Sequence, residues 1–186
     1  SRLALLTPNT LRRARRVFAL TQAIAEEISE VYGTPLDRID VVSPAVDPVF
    51  SPNHADSEIE AARHRYHLPE QFVLYTGALQ PRKNLTRLAT AFSRLVKKGL
   101  PHTLVIAGRR AWLHKGMLED IERLNLGDRI HFTGYVEQDD LPCIYAAASA
   151  FVYVSIYEGF GLPVLEALAT GTPVLASSIA AIKEVA

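Results

Sequence analysis

From Phe72 onward, short apolar runs alternate with longer segments of helical period, and three of the runs stop at a glycine. Phe72-Val73-Leu74-Tyr75-Thr76 ends at Gly77, Leu104-Val105-Ile106-Ala107 at Gly108, and Ile130-His131-Phe132-Thr133 at Gly134. Residues 151–154 and 173–176 complete five runs of this kind. Between them, residues 85–98 set Leu85, Leu88, Ala89, Phe92, Leu95 and Val96 on one helical stripe. Residues 58–67, 117–126, 140–147 and 163–169 also read as helices, with Pro163 suited to a first turn. Strands that are apolar throughout, rather than every second residue, must be covered on both faces. The pattern therefore predicts an α/β fold. It has a doubly wound parallel sheet, helices on both sides and right-handed crossovers.

The front of the chain is less regular. Residues 17–20 read as a strand, Thr21 as the cap of a helix to 32, Gly33 as its stop, and 39–42 as a second strand. Pro44, Pro48 and Pro52 then fall within nine positions, which resists helix and sheet alike and marks 44–52 as a linker. The chain stops inside what reads as another helix, so the sheet is expected to lack the sixth strand usual in such domains.

Twenty basic and twenty acidic residues cancel, which excludes a broadly basic nucleic-acid binder. A hydrophobic fraction of 48% supports a sizeable core. A single cysteine, Cys143, excludes an internal disulfide framework and reads as a small core residue. No apolar run approaches the roughly 20 residues of a membrane helix, and no signal peptide opens the chain. A cytoplasmic setting is the expectation. Arg2, Arg12, Arg13, Arg15 and Arg16 all precede the first acid, Glu26. This basic stretch reads first as a solvated helix face or an interdomain contact. An anionic membrane surface or a phosphorylated substrate is the alternative.

In a doubly wound sheet, ligands bind beyond the carboxyl ends of the strands where strand order reverses. With order 3-2-1-4-5, counted from the linker, that point lies between the strands at 72–76 and 151–154. The loops that follow these two strands are polar and bear glycines. In the first, Arg82 and Lys83 stand before Asn84, the expected cap of the next helix, and suit a phosphate or diphosphate. In the second, Glu158 precedes the Gly159-Phe160-Gly161 turn, and Glu166 follows in the helix. A carboxylate beside a phosphate site can accept protons from sugar hydroxyls, although Glu166 alone could equally serve the helix dipole. The six histidines are scattered without His-x-x-x-His or Glu-x-x-His spacing, and no Asp-x-Asp is present, so no metal is expected. Asp139 and Asp140 read as a helix cap and first turn; Arg109, Arg110 and Trp112 follow the strand end at Gly108, where the two arginines read first as exposed and otherwise as within reach of an anionic ligand. Gly-x-Gly-x-x-Gly is absent after the first strand, which argues against a hydride-transferring dinucleotide enzyme.

Glu158-Gly159-Phe160-Gly161-Leu162-Pro163-Val164-Leu165-Glu166 resembles the E-x7-E motif of retaining glycosyltransferases with the GT-B fold, and Ala167 to Val174 continues that signature. Tyr75-Thr76-Gly77-Ala78-Leu79-Gln80-Pro81-Arg82-Lys83-Asn84-Leu85 resembles the donor-phosphate loop of glycosyltransferase family four (the group 1 glycosyl transferases). Residues 130–135 are similar to the strand and turn near the donor base, and Pro44-Ala45-Val46-Asp47 to the end of the family's interdomain linker.

The resemblance implies two Rossmann-like domains. Residues 1–43 would end the N-terminal acceptor domain, 44–52 would be the linker, and 53–186 an incomplete nucleotide-sugar donor domain. It implies that Glu166 binds the ribose and that Glu158 contacts the donor sugar and stabilises an oxocarbenium-like transition state. The amides of Phe160, Gly161 and Leu162 would meet the sugar or diphosphate, with Gly77 and Gly159 shaping the two loops. Arg82 and Lys83 would neutralise the leaving diphosphate in place of a metal, and the backbone at Tyr135 and Val136 would hold the base. Many members carry arginine directly after the loop glycine; here that residue is Ala78, and Arg82 is the nearest replacement.

The expected function is a retaining, metal-independent transfer of a sugar from a nucleoside-diphospho-sugar, GDP-mannose by preference and UDP-glucose next, with no cofactor. The acceptor would be a glycan or a lipid-linked glycan, reached at the inner face of a membrane or in the cytoplasm. The alternatives are a retaining disaccharide phosphorylase or synthase on the same fold, and a non-catalytic nucleotide-binding module.

Overall fold

The structure, a computed structural model, describes residues 2–108 and 115–186. It divides into two compact units. The first comprises residues 1–45, 158–162 and 178–186, and the second residues 46–157 and 163–177.

In the second unit, five parallel strands form one sheet: β3 (Phe72–Thr76), β4 (Thr103–Ala107), β5 (Ile130–Gly134), β6 (Ala150–Tyr153) and β7 (Val174–Ala176). Their order is β5-β4-β3-β6-β7, which is the expected 3-2-1-4-5 arrangement. The register runs from Phe72 opposite Thr103 to Thr76 opposite Ala107, and Leu74 lies opposite Phe151. The central strands are buried through Phe72, Leu74, Tyr75, Leu104, Val105, Ile106, Phe151, Val152 and Tyr153, as runs apolar on both faces require. The edge strands β5 and β7 carry no fully buried residue.

The helices of this unit are α3 (Asp56–Arg65), α4 (Leu85–Lys97), α5 (Lys115–Glu122), α6 (Leu141–Ala147) and α7 (Leu162–Ala169), whose first residue belongs to the other unit. In α4 the expected stripe is buried at Leu85, Leu88, Ala89 and Phe92. Leu95, expected with them, is 47% exposed, and no described element covers the apolar groove that it lines with Leu88, Phe92 and Leu175. Arg63 ties α3 to the end of α6 by donating to the Ala147 carbonyl at 3.0 Å.

The first unit holds α1 (Arg2–Arg13), α2 (Gln22–Tyr32), α8 (Ala180–Val185) and a parallel pair, β1 (Val17–Ala19) and β2 (Ile39–Val41). Thr21 caps α2 as expected, its Oγ1 accepting from Ile24 N–H at 3.2 Å. Gly33 ends α2 at φ 66°. Glu184 adds a second cap, accepting from the N–H groups of Gln22 (2.7 Å) and Ala23 (3.1 Å). Helix α1, with Pro8 inside it, carries Arg2, Arg12 and Arg13 of the basic stretch, in line with the helix face expected there. Of the basic stretch, Arg16 forms a bidentate pair with Asp40, which lowers the Asp40 carboxyl below its usual range. Among the described residues no helix is long and apolar enough to cross a membrane.

Candidate functional site

Strands β3 and β6 lie side by side, and their connections leave in opposite directions, to β4 and to β7. Strand order therefore reverses between them, and ligands of doubly wound sheets bind beyond the carboxyl ends at such a point. Gly77 opens the first loop at φ 131°, where a side chain would be strained. Its N–H donates to the Ala107 carbonyl, and the Gly108 N–H donates to the Gly134 carbonyl, each at 2.9 Å. These bonds carry the ladder one step past the strands.

A single 3-10 turn, Pro81–Lys83, then presents the two cations differently. Lys83 is buried. Its Nζ donates to the Tyr153 hydroxyl at 2.7 Å and lies 4.8 Å from that ring's centroid. Arg82 is exposed; its guanidinium donates to Gln80 Oε1 (3.0 Å) and to the Tyr157 carbonyl (3.2 Å). The Arg82 carbonyl accepts from Ile156 N–H at 2.9 Å, so the two loops are tied together. Asn84 corrects an expectation. It precedes α4 in a left-handed conformation, φ 62°, and makes no side-chain cap. Its amide donates instead to the Val154 carbonyl at 3.2 Å, which is a third tie between the loops.

Glu166, in α7, is buried at the end of a hydrogen-bonded chain. The Tyr145 hydroxyl donates to its Oε2 at 2.9 Å, and Thr76 Oγ1 lies 2.8 Å from the same hydroxyl. Since Tyr145 spends its proton on the carboxylate, Thr76 is the donor in that pair. Thr172 holds α6 in place by donating to the Tyr145 carbonyl at 2.8 Å. Burial raises the Glu166 carboxyl above its usual range, and the Tyr145 bond works against that rise. The Tyr145 phenol is pushed well above its ordinary value, by burial first and by the Glu166 charge second, so it remains a donor. The result is a largely buried carboxylate oriented by the Tyr145 hydroxyl.

Tyr145, Tyr153 and Thr76 were not among the candidate residues. The available signal was a tyrosine inside an otherwise apolar segment, since a buried hydroxyl needs a partner. Asp140 does precede α6, but it makes no side-chain cap; its carboxylate accepts from Arg65 and from the Tyr66 hydroxyl, each at 2.7 Å. Cys143 is a buried core residue, as expected, and its thiol is pushed up by burial and then by the Glu58 and Asp140 charges.

The first unit holds the Gly-x-Gly turn. The Gly159 carbonyl accepts from Thr21 Oγ1 at 3.2 Å. Gly161 sits at φ 118°, and a Cβ there would run into Ile182. Glu158 and Phe160 are buried, and Leu162 starts α7. Gly77, Arg82, Lys83 and Glu166 thus come together in the second unit, whereas Glu158 to Leu162 belong to the first. Tyr135 and Val136 follow β5 on the far edge of the sheet, with Tyr135 exposed and Val136 half-buried. Arg109, Arg110 and Trp112 lie outside the described residues.

Residues 56–186 match the model of the family described as glycosyl transferases group 1. The chain is 34% identical over 178 residues to the O-antigen chain mannosyltransferase B of Escherichia coli, covering 95% of this chain and 46% of that protein. It is 31% identical over 169 residues to the mannosylfructose-phosphate synthase of Agrobacterium fabrum, covering 87% of this chain and 37% of that one. The fold is similar to that of Anabaena HepE, solved in complex with UDP and glucose, with a TM-score of 0.80, 24% identity, and coverage of 96% and 48% of the two chains. The chain therefore spans less than half the length of either curated relative.

Proposed function

The chain belongs to the group 1 glycosyl transferases, and on that premise we propose that its second unit carries the nucleoside-diphospho-sugar site of a sugar-transferring enzyme. The observation that carries this reading is the buried Glu166 carboxylate, oriented by Tyr145 and Thr76, together with the buried Lys83 ammonium at the adjoining strand end. Such a carboxylate accepts hydrogen bonds from two ribose hydroxyls, and the ammonium offsets the charge of a diphosphate without a metal ion. Arg82 adds a second cation, and the backbone at Tyr135 and Val136 meets the base. The loop from Glu158 through Leu162 serves the sugar, with Glu158 opposing positive charge at the anomeric carbon.

The preferred donor is GDP-mannose and the reaction retaining. The Pro81-Arg82-Lys83-Asn84 loop and the mannosyltransferase relative support that choice. The acceptor is a glycan or a lipid-linked glycan, with Arg12, Arg13 and Arg15 proposed to make peripheral contact with the inner, cytoplasmic face of a membrane. The division into an acceptor-domain end at 1–43, a linker at 44–52 and a donor domain at 53–186 belongs to the same proposal. The synthase relative supports a second reading, in which the acceptor is a sugar phosphate. Offering the full-length protein free sugar phosphates beside lipid-linked glycans separates the two.

Thermal shift with GDP, UDP, ADP and dTDP tests the donor site. A tight binder at 100 times its Kd stabilises the fold by about 2.7 kcal/mol. GDP is expected to raise the midpoint most, and a flat response to all four would remove the reading.

Lys83→Met offers a sharper test. An apolar side chain of similar length on the Tyr153 ring should shift the midpoint little, because relief of the buried ammonium's desolvation offsets the loss of its bond to the Tyr153 hydroxyl. Loss of a charged hydrogen bond of about 1.5–3 kcal/mol should weaken nucleoside diphosphate tenfold to a hundredfold. Binding of the unphosphorylated nucleoside should be unaffected. Equal loss for nucleoside and nucleoside diphosphate would show that Lys83 supports the fold and not the diphosphate.

A further inference from the structure

The segment entering α3 and the first turn of α6 bring a nitrogen, an oxygen and a sulfur to one place within the second unit. A ring nitrogen of His54, a carboxylate oxygen of Glu58 and Sγ of Cys143 all lie within 4.8 Å of one another. His54 stands just before α3, Glu58 in its first turn, and Cys143 in the first turn of α6, and these two helices pack on each other. The Glu58 Oε2 accepts from the Ala55 N–H at 3.1 Å, which holds the carboxylate back toward His54. The His54 Nε2 is screened from solvent and meets no hydrogen-bond partner among the described residues. A buried ring nitrogen normally finds one. The Asp140 carboxylate, one turn before Cys143, is already engaged by Arg65 and Tyr66.

We propose that His54, Glu58 and Cys143 form a site for a divalent transition-metal ion of the zinc class, with water as the fourth ligand. A tetrahedral ion with sulfur at about 2.3 Å and nitrogen and oxygen at about 2.0–2.2 Å sets its ligand atoms about 3.3–3.8 Å apart. Closing on the ion therefore takes about 1 Å of side-chain movement, which the exposed Glu58 supplies by loosening its bond from the Ala55 N–H. Thiolate, imidazole and carboxylate together suit a borderline-soft ion and disfavour magnesium and calcium, which take oxygen ligands. None of the three residues lies in the donor loops, so the ion takes no part in sugar transfer. It ties the segment that follows Pro52 to α6, the helix whose Tyr145 orients Glu166. Just before that segment, Phe50 already packs edge-on against Tyr145, with ring centroids 5.9 Å apart.

Cobalt titration of the chelator-treated chain tests the site. Cys143 is the only cysteine, so a near-ultraviolet thiolate-to-cobalt band has one possible origin in the chain. The expected result is that band together with the strong visible absorption of four-coordinate cobalt. Zinc should displace both and magnesium should displace neither. His54→Gln and Glu58→Gln should each weaken cobalt and zinc at least about tenfold in Kd, with an unchanged far-ultraviolet circular dichroism spectrum. The His54 variant carries the test, because replacing the buried Cys143 also disturbs the core. Absence of the thiolate band at excess cobalt would overturn the site. So would a band that His54→Gln leaves intact, or one that appears only as the chain dimerises.

Discussion

Gly108→Ala is expected to cost about 3 kcal/mol or more and to remove nucleotide binding from whatever still folds. A Cβ at residue 108 would fall inside the van der Waals shell of the Gly77 carbonyl oxygen and 2.9 Å from its carbon. Overpacking of side chains in a core usually costs about 1–3 kcal/mol because rotamers can adjust. Here the obstacle is backbone, and it is held on both sides. Gly77 bonds Ala107 and Gly108 bonds Gly134, each at 2.9 Å, and Gly77 itself sits at φ 131°. Relief therefore means moving the strand end from which the Arg82 and Lys83 loop departs. Against a typical total of about 5–15 kcal/mol, that is a large share of the stability. Gly116→Ala is the control, since a Cβ there meets nothing within 4 Å on helix α5, and helix propensity predicts a slight gain. Urea unfolding compares the two. A Gly108→Ala chain with the parent midpoint and intact nucleoside diphosphate binding would mean that the strand-end geometry does not control the loop.

The five-stranded sheet was legible because continuous apolar runs have few uses other than a sheet covered on both faces, and chirality leaves few orders for them. The Thr21 and Gly33 ends of α2 were legible because capping is local. What escaped depended on contacts across the chain. Asn84 has the composition of a cap, yet its amide is taken by Val154, 70 residues on. Tyr145 meets Glu166 across two helices and Thr76 across 69 residues, so only its unusual place in an apolar segment hinted at a partner. The basic stretch was legible as a helix face, but the bounds of α1 were not, because Pro8 interrupts the local pattern. The grouping of Cys143 with His54 and Glu58 rests on the packing of α3 on α6, which no spacing rule encodes.

The two carboxylates of the E-x7-E segment should separate in their effects. Glu166→Gln should weaken nucleoside diphosphate and intact donor alike, by about tenfold to a hundredfold, because ribose contacts are the same in ground and transition states. Burial raises the Glu166 carboxyl above its unfolded value, so its contribution to stability is fully present below that unfolded value and is lost as pH rises through the folded one. Once ionised, the group is thus a cost to the fold. Glu166→Gln should keep or raise the unliganded melting midpoint while losing affinity. Ribose binding needs the ionised form, so affinity should climb with pH through the raised folded-state pKa. Tyr145→Phe removes the one bond that pulls this pKa down, and should move the climb to higher pH. Glu158→Gln should leave nucleoside diphosphate affinity nearly unchanged and instead lower kcat in the full-length enzyme, where its charge opposes the positive charge developing on the sugar. Calorimetric titration of both variants with nucleoside diphosphate and a non-hydrolysable donor, over a range of pH, reads all of these. If Glu158→Gln abolishes nucleotide binding and Glu166→Gln spares it, the ribose and sugar roles belong to the opposite carboxylates.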